Sequence, residues 1–175
     1  MGYSGFVIVA RTGDKRLDEL ACVDDLFVAV TDNIRADGWR IGFLGPVDDP
    51  SPDGLANALA LETNAPAIAL SVVDSDCAFA TAADPSGTAV EFYLNEEIVR
   101  ALTYDEDEFE PLNTQAAAGL LAWAERAGLV ANPDRLAATL EEPWSVRRRN
   151  LRIHRGPRHR RTPGLGTKHP GLLSR

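Results

Sequence analysis

The sequence predicts an α+β domain: a mainly antiparallel sheet with helices packed on one face, a C-terminal helical hairpin and a basic tail. Three observations support this class. Three apolar segments between residues 67 and 94 are joined by turns that are too short for parallel crossovers. Segments with helical spacing follow the strands instead of alternating regularly with them. The 175 residues are 45% apolar and 25% charged, which is typical of a globular domain.

The N-terminal part contains two predicted strands. The continuous apolar run Phe6–Ala10 indicates a strand that is covered on both faces. Residues 26–34 fit helical spacing but also have the composition of a strand, so we expect a helix and keep the strand as the alternative. The following segment alternates and predicts a half-buried strand, with Trp39, Ile41 and Phe43 on one face.

The next predicted helix has clear start and stop signals. Ser51 is a suitable N-cap, Pro52 suits the first helical position, and Asp53 places an acid in the first turn. Asn64 can adopt the left-handed conformation that ends a helix, and Pro66 prevents the helix from continuing.

A β-meander is predicted over residues 67–94, with strands at 67–73, 77–83 and 88–94. Residues 84–87, Asp-Pro-Ser-Gly, have the composition of a type I turn. In the last strand Glu91 and Tyr93 share one face, which we expect to be solvated.

Helices are predicted after the meander. Asn95 can cap a short helix, and a helical hairpin follows. Its first arm begins at Asn113 or Thr114 and ends near Gly128 in a Schellman closure. Its second arm follows Asn132-Pro133 and stops at Pro143.

The charge divides the chain into two parts. Residues 1–145 hold 8 basic and 26 acidic residues, a net charge of −18, and we expect them to form the globular domain. Residues 146–175 hold ten Lys and Arg, all three His and no acid. Proline and glycine interrupt this tail, which has too few apolar residues for a core, so we expect it to be disordered.

Several kinds of catalytic site are excluded by what the first 145 residues lack. They contain no histidine, which excludes Ser-His-Asp and Cys-His catalysis and histidine-ligated zinc there. Cys22 and Cys77 have no CxxC spacing and no local basic partner, so we expect both to be reduced, buried and inert. No phosphate-binding glycine loop is present. We therefore expect no cofactor and favour a protein that is not an enzyme.

The alternative is an enzyme that uses the carboxylates of Asp74 and Asp76. They lie two residues apart at a strand junction, and in an extended backbone both carboxylates would point the same way. Such a pair can hold a divalent cation in a metal-dependent phosphate or sugar enzyme. Aspartate and serine are also ordinary turn residues, so we favour a turn without metal.

The strongest candidate for partner binding is an acidic segment between two predicted helices. It places five carboxylates around one aromatic side chain: Asp105, Glu106, Asp107, Glu108, Phe109 and Glu110. Carboxylates attract a basic partner, and a phenylalanine can anchor in a pocket of that partner. A merely solvated loop is the other interpretation.

The tail has three interpretations. Clustered arginines can bind nucleic acid weakly and without sequence preference, through Arg147, Arg148, Arg149, Arg152, Arg155, Arg158, Arg160 and Arg161. The tail can instead contact the acidic domain or a protein partner. Its composition is also what GC-rich DNA encodes in a shifted reading frame, and such DNA indicates a bacterial source.

The sequence as a whole favours a non-enzymatic interaction module. We expect a small acidic protein, like an immunity protein or an inhibitor, that binds a basic protein partner. No apolar run approaches the roughly 20 residues of a membrane-spanning helix, and the N-terminus has no basic region of a secretory signal. We therefore expect a cytoplasmic protein without a membrane partner.

Overall fold

The computed structural model describes residues 2–24, 33–45, 51–103, 109 and 111–141. Its elements in chain order are β1 (Gly5–Arg11), a 3₁₀ turn (Leu17–Glu19), α1 (Ala21–Asp24), β2 (Asn33–Ile34), a second 3₁₀ turn (Ala36–Gly38), β3 (Trp39–Leu44), α2 (Pro52–Thr63), β4 (Ala67–Val73), β5 (Cys77–Ala83), β6 (Ala89–Leu94), α3 (Glu96–Leu102), α4 (Asn113–Arg126) and α5 (Pro133–Glu141). Within these residues six strands form one sheet in the order β2-β3-β1-β4-β5-β6, and every pair is antiparallel.

The α+β class and the antiparallel meander are confirmed. Strands β4, β5 and β6 pair in sequence, with Leu70 opposite Ala80 and Ala80 opposite Phe92. The predicted turn at 84–87 closes the second hairpin, and Gly87 takes a positive φ of 84° that suits glycine. Within the turn the Asp84 amide donates to the Thr88 carbonyl at 3.0 Å.

The helices cover both faces of the sheet, whereas the sequence analysis placed them on one. On the face covered by α2, here the α2 face, a core forms from Phe6, Ile8, Ala10, Leu55, Leu59, Ala67, Ala69 and Ala83. On the opposite face, here the α4 face, α4 and α5 form a second core with Trp39, Ala80, Ala82, Phe92, Leu120, Trp123 and Leu140. Strands β1, β4 and β5 carry apolar or small side chains at odd and even positions alike, so both of their faces need cover.

The helix boundaries follow the predicted signals. Helix α2 begins at Pro52 and ends before Asn64, which has a left-handed φ of 48°. Helix α4 closes with both Schellman bonds, from the Leu129 amide to Ala124 and from the Gly128 amide to Glu125. In α5 the Asn132 side chain accepts the Arg135 amide at 2.9 Å, which caps the helix.

The ambiguous segment 26–34 is described only at its end. There Asn33 and Ile34 form strand β2, which pairs with Ile41 and Arg40, so the expected helix is wrong at these two positions. The rest of that segment and the whole tail from 146 lie outside the described residues. None of the described helices has the length and apolar character needed to cross a membrane.

Candidate functional site

A shallow cleft of about 170 Å³ opens on the α2 face of the sheet, beside edge strand β6. Helix α2 lies mainly over β4 and β5, and only its first turn approaches β6. Phe79 of β5 and Glu91 of β6 therefore remain accessible next to that turn, and Tyr93 is partly accessible. The β6 cleft is lined by Pro52, Asp53, Phe79, Ala80, Thr81, Glu91, Phe92, Tyr93 and Leu112.

A row of aromatic rings runs along the β6 cleft. The rings of Phe79 and Tyr93 meet edge to face with centroids 5.6 Å apart, and Phe79 is 36% exposed. The ring of Phe109 lies 5.8 Å from that of Tyr93, and the guanidinium of Arg100 lies 4.7 Å above the Phe109 ring. The row offers ring faces and edges to a ligand, and such surfaces attract apolar groups and cations.

Two exposed carboxylates flank these rings. Asp53 is in the first turn of α2, where a hydrogen bond from the Ser51 hydroxyl lowers its pKa, so its carboxylate stays charged at neutral pH. Glu91 is exposed on β6, opposite the buried Thr81. Among the described residues neither Asp53 nor Glu91 forms an ion pair. The cleft therefore combines aromatic rings with negative charge that the described part of the chain does not neutralise.

Asn113 forms hydrogen bonds with the backbone of β6 at one end of the cleft. Its side-chain oxygen accepts the Tyr93 amide at 2.7 Å, and its nitrogen donates to the Tyr93 carbonyl at 3.0 Å. The same nitrogen also donates to the Leu140 carbonyl at 3.2 Å. One amide side chain thus ties strand β6 to helices α4 and α5.

The acidic segment predicted to bind a partner is described only at Phe109, and Asp105–Glu108 and Glu110 lie outside the described residues. Phe109 is partly buried against Tyr93 and Arg100, so it is part of the aromatic row rather than a free anchor. Phe109 therefore lies beside Tyr93 at the edge of the β6 cleft, a neighbourhood that the sequence did not predict.

Asp74 and Asp76 lie in the turn between β4 and β5, far from extended geometry. The φ angles of Asp74 and Ser75 are 46° and 62°, and the Asp76 amide donates to the Val73 carbonyl at 2.9 Å. These residues form a turn, which the sequence favoured, and the extended geometry that the alternative of a cation site assumed is absent at Asp74, because a left-handed backbone rotates Asp74 out of the strand. Its carboxylate instead accepts the Gly2 amide at 2.8 Å. The described residues contain no group of three or more potential metal ligands.

The two cysteines differ from each other in burial. Cys77 is fully buried, as predicted, whereas Cys22 is only partly buried. Burial, with a contribution from Glu62, raises the pKa of Cys22 to about 12. Burial, with a contribution from Asp76, also raises the pKa of Cys77. Both thiols therefore stay protonated at neutral pH, where a thiol is a poor nucleophile.

The sequence did not predict an ion pair between the buried carboxylate of Asp84 and the partly exposed guanidinium of Arg126. Asp84, 2% exposed in the meander turn, accepts hydrogen bonds from the Ser86 amide at 2.8 Å and from the Arg126 guanidinium at 2.5 Å. Burial raises the pKa of Asp84, but the bonds from Ser86 and Arg126 outweigh it and hold the pKa below its ordinary value. The pair fastens α4 to the meander and is a structural contact.

The sequence pattern places Glu91 and Tyr93 on one strand face but predicts only that this face is solvated. It did not bring Asp53, Phe79 and Thr81 to the same place. One signal was present: the short turn at 84–87 fixes the register and puts Thr81 opposite Glu91 and Phe79 opposite Tyr93. The approach of Asp53 depends on how α2 crosses the sheet, and no local pattern encodes that crossing.

The arginines expected to bind nucleic acid, from Arg147 to Arg161, lie outside the described residues, so that expectation stays a prediction. Comparison with family models, with curated proteins and with solved structures finds no match for this chain.

Proposed function

We propose that this chain is a non-enzymatic interaction module, of the immunity-protein or inhibitor kind, that binds a basic protein partner at the β6 cleft. One observation carries the proposal: the carboxylates of Asp53 and Glu91, which form no ion pair with any described residue, flank an accessible row of aromatic rings. The net charge of −18 over residues 1–145 supports a basic partner, because it favours encounter with positively charged surfaces.

An arginine or lysine of the partner fits this combination of groups. Its alkyl chain can pack on Phe79, and its charged end can reach Glu91 or Asp53. Arginine suits the cleft best, since its planar guanidinium stacks on a ring and binds a carboxylate with two hydrogen bonds. The stacking of Arg100 on Phe109 is an example of such a contact within this chain.

The acidic segment 105–110 has a separate role in the proposal. Phe109 lies beside Tyr93 of the β6 cleft, and in the proposal the carboxylates next to Phe109 in the sequence add negative charge near that cleft. Charges around a binding site mainly raise the association rate, whereas groups buried on binding mainly lower the dissociation rate. We therefore assign attraction of the partner to the segment and its retention to the cleft.

Affinity capture from the native host with a pair of matched variants tests the proposal. The cleft variant carries Asp53→Asn and Glu91→Gln, and the control carries Asp134→Asn and Glu125→Gln, which remove the same charge from exposed positions on α5 and α4. A basic protein should be retained by the parent and by the control and be lost or strongly reduced with the cleft variant.

Equal retention by all three proteins would show that the β6 cleft is not the binding site. Equal loss from both variants would show that total charge, and not the cleft, governs binding. Neutralising Asp105, Glu106, Asp107 and Glu108 together should mainly slow association with the captured protein, which surface plasmon resonance measures.

A further inference from the structure

Strand β6 is at the edge of the sheet, and its pairing with β5 determines which backbone groups point outward. The hydrogen bond from the Asp84 amide to the Thr88 carbonyl marks that pair as a bonded one. Bonded and non-bonded pairs alternate in an antiparallel ladder, so Val90 and Phe92 bond to β5. The amides and carbonyls of Ala89, Glu91 and Tyr93 therefore point away from the sheet.

Not all of these outward backbone groups can form hydrogen bonds with an added strand. Those of Tyr93 are bonded to the side chain of Asn113, which makes the two hydrogen bonds that a neighbouring strand residue would make. Ala89 and Glu91 are exposed, and no described residue bonds their outward backbone groups. Within the part of the chain that the structure describes, an edge with two outward-facing residues is thus not covered beside the β6 cleft.

The surroundings favour a basic occupant for this edge. The side chain of Glu91 is on the α2 face, beside the equally acidic Asp53. A cross-strand neighbour of Glu91 is stabilised when its charge is opposite and destabilised when its charge is the same. A second copy of this chain would bring its own Glu91 to the junction, so charge disfavours pairing between two copies.

We infer, on the basis of the proposed function, that the partner binds by strand addition. A short extended segment of the partner pairs with β6 along Ala89–Glu91 and places an arginine or lysine opposite Glu91, next to Asp53. The turn at 84–87 bounds the segment at one end and Asn113 bounds it at the other. Backbone hydrogen bonds provide affinity, and the basic side chain provides specificity.

N-methylation removes hydrogen-bond donors from the backbone of a peptide and leaves its charge unchanged. Methylated peptides therefore distinguish strand addition from attraction by charge alone. The probe is acetyl-Val-Arg-Val-Arg-Val-amide, titrated into the ¹⁵N-labelled full chain and followed by NMR. Two matched peptides each carry two N-methyl groups on the backbone. In the first peptide the nitrogens of both arginines are methylated, and in the second the nitrogens of two valines are methylated. When an arginine pairs with Glu91, its own amide faces β6, whereas the valine amides face away.

The expected result is an asymmetry between the two methylated peptides. Methylation on the arginines should weaken binding at least about tenfold relative to methylation on the valines, the effect of losing one or more hydrogen bonds. The largest shifts should be at the amides of Ala89 and Glu91. The variant Ala89→Pro, which removes one outward amide while leaving the β5 ladder intact, should weaken the unmethylated peptide similarly.

Other outcomes would overturn the inference in distinguishable ways. Equal binding of both methylated peptides, weakened by Glu91→Gln, would refute strand addition and leave the proposed cleft standing. No binding of any peptide would count against both. If replacing Arg147, Arg148 and Arg149 by serine shifts the Ala89 and Glu91 amides of the free chain, the occupant is the chain's own basic segment, and an external segment is wrong.

Discussion

The two faces of the β5–β6 hairpin differ although the same two strands form them. On the α4 face Ala80 and Phe92 are 3% and 7% exposed, because Leu120 and Trp123 pack over them. On the α2 face Phe79 is 36% exposed, since only the first turn of α2 reaches this far. The α4 face of the hairpin belongs to a core, whereas the α2 face is a cleft around Phe79 and Glu91. The alternation of β6 places Phe92 on one face and Glu91 on the other, and the placement of the helices leaves the Glu91 face partly uncovered.

The close approach of α4 to the sheet shows how the covered face is filled. A side chain at Gly119 would place its Cβ 2.8 Å from a methyl group of Val90 on β6. The indole nitrogen of Trp123 donates to the Ala83 carbonyl at 2.8 Å, so the ring is fixed by both packing and a hydrogen bond. Small residues on β5 and α4 thus let the helix lie directly on the strands.

The largest expected effect is a difference in unfolding free energy between a variant on the α4 face and a variant on the α2 face. Trp123→Ala should lower the free energy of unfolding by about 3–5 kcal/mol, because it leaves a cavity and an unpaired carbonyl. Phe79→Ala, on the open face, should lower it by about 1 kcal/mol or less. Urea denaturation of both variants measures the difference. Equal losses would show that the β6 cleft is part of the core.

The second prediction concerns the pair that fastens α4 to the meander. The lowered pKa of Asp84 means that the charged carboxylate stabilises the fold above its ordinary pKa of about 4. That stabilisation is lost as the pH falls through the folded-state value. Arg126→Met should therefore cost about 1–2 kcal/mol at pH 7, and the cost should shrink towards pH 2.

Denaturant unfolding between pH 7 and pH 2 measures this dependence. Arg135→Met, which removes an exposed arginine of α5, is the control and should cost little at any pH. A loss for Arg126→Met that is independent of pH would indicate that the arginine contributes packing and not charge.

The smallest expected effect concerns the end of the β6 cleft. Asn113→Ala removes the hydrogen bonds to Tyr93 and to the Leu140 carbonyl, and it should cost about 1 kcal/mol, because water can replace the bonds at this partly buried site. Hydrogen exchange at the Tyr93 amide should become faster, while exchange at the Phe92 amide, bonded within the ladder, should change little. Unchanged exchange at Tyr93 would contradict the role given to Asn113.

The sequence was informative wherever structure depends on neighbouring residues. The turn at 84–87 determined the register of the β5–β6 hairpin, and Pro52 and Asn64 marked the ends of α2. Gly128 and Leu129 marked the closure of α4 in the same way. Each of these signals acts within a few residues, so a single sequence reveals it.

Contacts between distant segments were not predictable in this way. Asp84 and Arg126 are 42 residues apart, and many acids and arginines of the chain were equally suitable partners. Helices on both faces of the sheet were not predicted, although the apolar run of β1 indicated a strand that is covered on both faces. Strand β5 is rich in alanine at odd and even positions, so its sequence does not show which face is covered. The β6 cleft depends on where the first turn of α2 lies over the sheet, which is set by packing.

The measurement that tests the central claim most directly locates the partner on the surface. Carbodiimide treatment of the complex joins a carboxylate to a neighbouring lysine without a spacer, and mass spectrometry identifies the linked residues. We predict links to Asp53 or Glu91 from lysines of the captured basic protein that enter the cleft or lie beside an arginine that enters it, and we predict the loss of these links when an arginine-containing peptide competes. Links confined to exposed acids away from the β6 cleft, such as Glu125 and Asp134, would contradict it.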